Sequence, residues 1–151
     1  MSPGKKQLLA HLMSMQPDAF ERLSSRLLRE AGVDNVTVTG KSGDGGIDGR
    51  GVLRVGLVSF PVFFQSKRYQ GSVGSSVVRD FRGAMAGRGD KGFLITTGTF
   101  TPEAKKEANR DGVPPVDLID GDRLCDLLKD YELGVRTVKV VTVDAAFFAD
   151  M

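Results

Sequence analysis

The sequence predicts an α/β domain, and three observations carry that prediction. Apolar residues recur at helical spacing in Phe20, Leu23, Leu27 and Leu28. Val36 and Val38 alternate with Asn35, Thr37 and Thr39, as residues of a half-buried strand do. From Ser75 onward helical and strand periods take turns in a β-α-β rhythm. With 151 residues, 40% of them hydrophobic, the chain suits one domain with a sizeable core and argues against disorder.

The elements follow in order. Leu8, Leu9 and Leu12 mark a helix that runs to Ser14, and Pro17 suits the first turn of a second helix that Gly32 stops. A strand through Val36 and Val38 leads into the glycine-rich run Gly43-Asp44-Gly45-Gly46-Ile47-Asp48-Gly49, and a second strand spans Ile47 to Val55. Leu57 to Lys67 reads as a third, with Pro61 marking an edge, a bulge or a start at Val62. Ser75 or Ser76 caps a helix through Val77, Val78, Phe81, Ala84 and Met85, ended by Gly87 and Gly89. Phe93, Leu94 and Ile95 form a short apolar run suited to a central parallel strand. Thr101 caps a helix with Pro102 in its first turn, Val116 to Ile119 is a strand, and Asp120 or Asp122 opens a helix through Leu128. Val135 to Val143 adds a last strand before a short tail.

The chemistry concentrates around Asp48 and Gln65-Ser66-Lys67-Arg68-Tyr69. Strand side chains alternate faces, so Phe63, Gln65 and Lys67 point one way and Val62, Phe64 and Ser66 the other. Burial of Phe64 holds that register, because a slip of one residue would send both polar groups into the core. The glycines before Asp48 allow close approach of another backbone and leave its carboxylate accessible. A carboxylate, an amide oxygen and an ammonium on neighbouring strands can hold a divalent cation against a phosphate. Taken singly, each piece has an ordinary structural explanation as a turn, a solvated charge or a surface amide. Their combination at the edge of an α/β sheet points to a nuclease.

Composition says less. A formal charge of +2 and a pI near 8.8 provide no global basic excess, so an electropositive footprint must be local. Lys41, Arg50, Arg68 and Tyr69 flank the site and could contact phosphate, whereas Lys105, Lys106 and Arg110 form the wet face of a helix. Cys125 sits among Leu124, Leu127 and Leu128 and reads as a buried thiol, and as a single cysteine it excludes a disulfide within the chain. His11 has neither a metal cluster nor a triad around it. No signal peptide and no apolar run of about eighteen residues is visible, so the expected location is the cytoplasm, with no membrane partner.

Several segments together resemble the catalytic domain of the Mrr-like restriction endonucleases. They are Phe20-Glu21-Arg22-Leu23, Gly43 to Asp48, Gln65 to Tyr69, Leu94 to Thr101 with Ala104 and Ala108, and Leu118-Ile119-Asp120-Gly121 with Leu124 and Leu127. The likeness runs from about Pro17 to Leu128 in matching order and spacing. It implies the PD-(D/E)xK nuclease fold, a central mixed sheet flanked by helices. Residues 1–151 then form one nuclease domain, with 1–16 a helical N-terminal extension and 144–151 a short tail. The resemblance further implies Mg2+, with Mn2+ able to substitute, and assigns Asp48 as the metal carboxylate, Gln65 in the usual acidic position, and Lys67 as the catalytic lysine. Glu21 matches the first-helix acidic residue, and Ser66 offers the metal its backbone carbonyl. DNA is the implied partner, with Lys41, Arg68 and Tyr69 as its contacts. Because no separate recognition domain is recognisable, a homodimer or a target-recognition subunit is also expected. Two readings compete: a non-catalytic DNA-binding or assembly module of the same fold, and a nucleotide-binding α/β protein. The second lacks both the Gly-Lys-Ser/Thr ending of a P-loop and GxGxxG spacing, while joint retention of Asp48, Gln65, Lys67 and Glu21 favours catalysis over the first.

Overall fold

The computed structural model describes residues 1–39, 46–89 and 91–151. Lys41 and the glycine-run residues Gly43, Asp44 and Gly45 lie outside them.

The two opening helices form where capping chemistry permits. Ser2 Oγ accepts from Lys5 N at 3.2 Å to cap α1 (Pro3–Ser14). Pro17 begins α2 (Pro17–Glu30), where a missing N–H costs nothing, and Gly32 at φ +103° terminates it. The chain then runs through β1 (Val33–Val38), β2 (Gly49–Val55), β3 (Val58–Lys67) and the short β4 (Ser72–Val73). It continues through α3 (Ser75–Met85), β5 (Lys91–Thr96), the short β6 (Thr99–Phe100), α4 (Pro102–Ala108), β7 (Val116–Ile119), α5 (Gly121–Asp130) and α6 (Ala145–Ala149).

The main sheet has the order β1-β2-β3-β5-β7, and β4 pairs in parallel with β6 beside it. Strand β2 runs antiparallel to both β1 and β3, whereas β3, β5 and β7 are parallel, so β3 is the seam of a mixed sheet. Helices cover both faces. Phe63 and Leu94 pack with Val78, Phe81 and Met85 of α3 and with Ala104 and Ala108 of α4. Ile95 packs on the other face with Leu12, Phe20, Leu27, Leu124 and Leu128, and Val62 and Phe64 pack there with Leu28 and Val33. Cys125 is a buried member of this second core, as its leucine neighbours predict. Adjacent residues Phe63 and Phe64 can both be buried because both faces of β3 are covered between Val62 and Phe64. Arg82 ties α3 to α4 through an ion pair with Glu107 at 3.3 Å and a hydrogen bond to Pro114 O at 2.9 Å.

The structure alters several sequence expectations. The second strand begins at Gly49, two residues later than predicted, because Ile47 is committed to the core beneath Phe63. Strand β3 runs unbroken through Pro61 from Val58, without a start at Val62. Pro61 is tolerated because, among the described residues, β5 pairs from Val62 onward and this stretch has β2 as its neighbour. Gly74 is the N-cap of α3; Ser75 already lies inside the helix, and neither serine caps it. A bulge between Asp34 and Thr37, with Asn35 at φ +54°, interrupts the simple alternation of β1 and leaves Val38 exposed.

The predicted strand from Val135 to Val143 does not form. Gly134, at φ +72°, turns the chain away from the sheet, and Val138, Val140, Val141 and Val143 are exposed. β-Branched residues favour extended backbone, but a strand also needs a neighbouring edge, and this segment reaches none among the described residues. The exposed tail predicts that ending the chain after Thr137 shifts the thermal midpoint by no more than about 2 °C. Calorimetry of the shortened and full chains checks this, and a larger loss would mean the tail contributes to the core.

Candidate active site

Asp48 is fixed from both sides by the sheet. Its N–H donates to Phe64 O at 2.8 Å, its carbonyl accepts from Thr39 N at 2.8 Å, and Thr39 Oγ1 donates to the preceding Ile47 O at 3.2 Å. Its carboxylate turns toward β3, where Oδ2 accepts from Ser66 N at 2.7 Å. The side chain thereby acts as an acceptor for a strand N–H, a charge-assisted bond that orients the carboxylate more firmly than a solvated surface group. Gly49 is required here, since a Cβ would run into the Phe64 ring and Thr37 O.

Gln65, Ser66 and Lys67 end β3 opposite Leu94, Ile95 and Thr96 of β5, and all three are half-buried. The expected alternation holds: Gln65 and Lys67 continue the side of Phe63, beyond the reach of the core, and Phe64 is buried on the other face. Gly46 has φ +96°, and a Cβ there would stand 2.6 Å from Gln65 Nε2. Glycine thus lets the loop close over the amide. Gln65 Oε1 is buried and has no hydrogen-bond partner among the described residues, and the same holds for Glu21 Oε1 and Ser66 Oγ.

Helix α2 brings Glu21 close enough to Asp48 for their charges to repel. Burial first, and then the negative charges of Asp48 and Asp18, push the Glu21 carboxyl above its ordinary range. Burial also raises the Asp48 carboxyl; the Ser66 N–H and the Lys67 ammonium pull it back without cancelling that rise. Asp48, Glu21 and Gln65 each offer oxygen, the donor type that a hard divalent cation takes. Among the described residues no three Asp, Glu, His or Cys side chains converge.

Comparison with known proteins is consistent with this geometry. Residues 12–128 match the Mrr_cat restriction endonuclease family. The chain belongs to that family. It is 36% identical over 150 residues to the type IV methyl-directed restriction enzyme EcoKMrr of Escherichia coli (strain K12), covering 94% of this chain and 48% of that enzyme. The chain therefore spans about half the length of the curated relative it matches. Among solved structures it resembles the DNA modification-dependent restriction endonuclease AspBHI, with TM-score 0.72 and 27% identity over 91% of this chain and 38% of that one. It also resembles the MspJI restriction endonuclease in complex with a 27-mer oligonucleotide, with TM-score 0.65 and 32% identity over 85% of this chain and 32% of that one. The mixed sheet flanked by helices is accordingly the PD-(D/E)xK fold of the restriction endonucleases.

Within this Mrr_cat framework the flanking residues separate. Arg68 is exposed but donates through Nη1 to Met13 O at 3.0 Å, so one of its nitrogens ties the end of α1 to the rim of the site. The exposed Tyr69 ring lies beside Gly71, while the Tyr69 backbone is bonded to Thr97. His11 lies on α1 and lines the apolar groove near Leu133, away from the carboxylates. Sequence reasoning misses the packing of Gly46 against Gln65 and the bonding of Thr97 to Tyr69. Both residues lie within stretches that carry the family resemblance, the one signal in the sequence that points toward them.

The raised carboxyls predict a pH-dependent stability. A carboxyl with a folded-state pKa above its unfolded value favours folding below the ordinary carboxylate range and loses that contribution as pH rises through the folded value. Once the pH is above their folded values both groups are ionised, and their desolvation opposes folding. Asp48→Asn should therefore raise the melting temperature of the metal-free protein at about pH 7, and the gain should fade toward about pH 3. Thermal melts at both pH values test this; a gain that did not change with pH would assign the effect to packing.

Proposed function

We propose that this chain is the catalytic part of a Mg2+-dependent DNA endonuclease acting in restriction or defence against foreign or modified DNA. The observation that carries this reading is the Asp48 carboxylate, held by Ser66 N and near enough to the Glu21 carboxyl and the Lys67 ammonium to feel both charges; the unsatisfied oxygen of Gln65 on the same strand end supports it. The names of the relatives support the substrate, since they describe methyl-directed and DNA modification-dependent enzymes and a complex with an oligonucleotide.

In this reading Asp48, Gln65 and the Ser66 backbone carbonyl hold the cation, with Mn2+ able to replace Mg2+, and Glu21 completes the set from α2. A bound divalent cation neutralises charge on a phosphodiester and lowers the pKa of an attacking water. Asp48 presents its carboxylate in one orientation because Ser66 N holds Oδ2. Lys67 places its ammonium beside the scissile phosphate, where it stabilises developing negative charge or orients the water. Arg68, Tyr69 and Lys41 contact the flanking phosphates, with Arg68 contributing the donors not engaged by Met13 O. Selection of a base sequence or modification then belongs to surfaces other than these, supplied by a second copy, a recognition subunit or a region outside this sequence. No described helix is long and apolar enough to cross a membrane, and we assign the activity to the cytoplasm, where DNA is encountered.

Single-turnover plasmid cleavage with Mg2+, Mn2+ or chelator tests the reaction. Asp48→Asn and Lys67→Ala should each slow it by on the order of 10²–10³-fold while leaving the fold intact. Lys67→Ala should weaken DNA binding only slightly, because one phosphate contact is a small part of the total. Cleavage that persists in chelator would overturn the metal assignment. Near-wild-type turnover by folded Lys67→Ala would remove Lys67 from the chemistry.

A further inference from the structure

Lys67 is the last residue of β3, and a strand end frays unless something closes its ladder. The closure comes from the turn after β5, in Thr96, Thr97 and Gly98. The β3–β5 pairing ends with Lys67 opposite Thr96, and Thr97 N then donates to Lys67 O at 3.3 Å. Thr97 Oγ1 accepts from Tyr69 N at 2.7 Å and donates to Tyr69 O at 2.8 Å. One hydroxyl thus satisfies both backbone polar groups of the residue two beyond the lysine.

The turn that holds Thr97 is itself constrained. Thr97 is 4% exposed and Thr96 1% exposed, and Thr96 Oγ1 accepts from Gly98 N at 3.0 Å. A Cβ at Gly98 would collide with Gly71 O, and one at Gly121 would collide with Thr97 O, so both glycines are there for close backbone approach. Gly121 N donates to Gly98 O at 2.9 Å, and Thr99 N donates to Gly71 O at 3.1 Å. The ends of β3, β5 and β7 are sewn together by short loops with little freedom to move independently.

We propose that Thr97 is a positioning residue for Lys67: its amide and hydroxyl hold the chain on either side of Arg68 and thereby keep the lysine ammonium aimed at the site. The proposal rests on the nuclease reading above. Thr97 does not touch the DNA or the cation. Its contribution is to the chemical step, where a displacement of about 1 Å can cost on the order of 10²-fold in rate.

The test uses the full chain. Thr97→Val keeps the shape and the amide but removes the hydroxyl; Thr97→Ser keeps the hydroxyl. Single-turnover cleavage, duplex DNA affinity and the thermal midpoint are measured on each. Folded Thr97→Val should lose between about ten- and a hundredfold in rate, with DNA affinity within threefold of the parent (about 0.65 kcal/mol), and Thr97→Ser should recover most of the rate. Three results overturn the proposal: an unchanged rate in folded Thr97→Val, a parallel loss of affinity and rate, or a Thr97→Ser variant as slow as Thr97→Val. A residue needed only for folding would change the midpoint and the active fraction but not the rate per folded molecule. If Thr97→Val does not fold, hydrogen exchange on the unmodified chain decides: the Tyr69 amide should exchange far more slowly than a free loop amide, and rapid exchange would overturn the clamp. A parent chain that does not cleave under any divalent cation would defeat the nuclease reading itself, an outcome distinct from a parent that cleaves and a Thr97→Val variant that cleaves equally well.

Discussion

The hydrogen bond from Ser66 N to Asp48 Oδ2, at 2.7 Å, joins the sheet to its chemistry. Its donor is a backbone group of the central strand, and its acceptor is the carboxylate on which the oxygen cluster is built. Because a buried N–H must find a partner and a buried carboxylate must find a donor, each satisfies the other, and neither can move without leaving a costly orphan. Asp48 N on Phe64 O and Thr39 N on Asp48 O close the arrangement from both sides. The orientation of the site thus depends on the same ladder that stabilises β2 and β3.

That ladder can carry the site because β3 changes partners. On one side it runs antiparallel to β2, and on the other parallel to β5. The antiparallel side carries the chain from Asp48 through β2 and back along β3, so Asp48 meets Phe64 and Ser66 although they are well separated in sequence. The parallel side brings the turn after β5 against the turn after β3, which is how Thr97 reaches Tyr69. Burial of Phe63 on one face and Phe64 on the other fixes the register, so the polar groups of Gln65 and Lys67 emerge where the helices no longer cover the strand.

The site is held in a state unfavourable for a protein without its ligand. Burial raises the carboxyls of Asp48 and Glu21, whose negative charges also oppose one another, and Gln65 Oε1 finds no donor among the described residues. Under the proposed function, such frustration is what oxygen ligands arranged ahead of a cation would show, with stability given up locally in return. By contrast, the buried Arg82 and Glu107 pair with each other in the bridge between α3 and α4.

Much of this was legible in the chain. Helical periods gave α2, α3 and α5, because burying one face imposes its period on the residues, and short apolar stretches gave β5 and β7. Thr101 and Asp120 announced their helices through local capping chemistry, and each does accept from the backbone N–H three residues further on. Asp48, Gln65 and Lys67 could be put on adjacent strands because pleat and alternation are properties of local sequence. Other features required the third dimension. Whether Val135 to Val143 becomes a strand depends on a neighbouring edge, which its valines cannot encode. Whether Pro61 interrupts β3 depends on where β5 begins to pair. The proximity of Glu21 to Asp48, the fit of Gly46 against Gln65 and the hold of Thr97 on Tyr69 join segments separated in sequence, and their strength comes from burial and orientation set by the whole sheet. Local composition therefore determined most of the helices and strands and which residues are candidates for the chemistry, whereas only tertiary packing decided which of those residues meet, since desolvation and hydrogen-bond geometry are properties of the assembled fold.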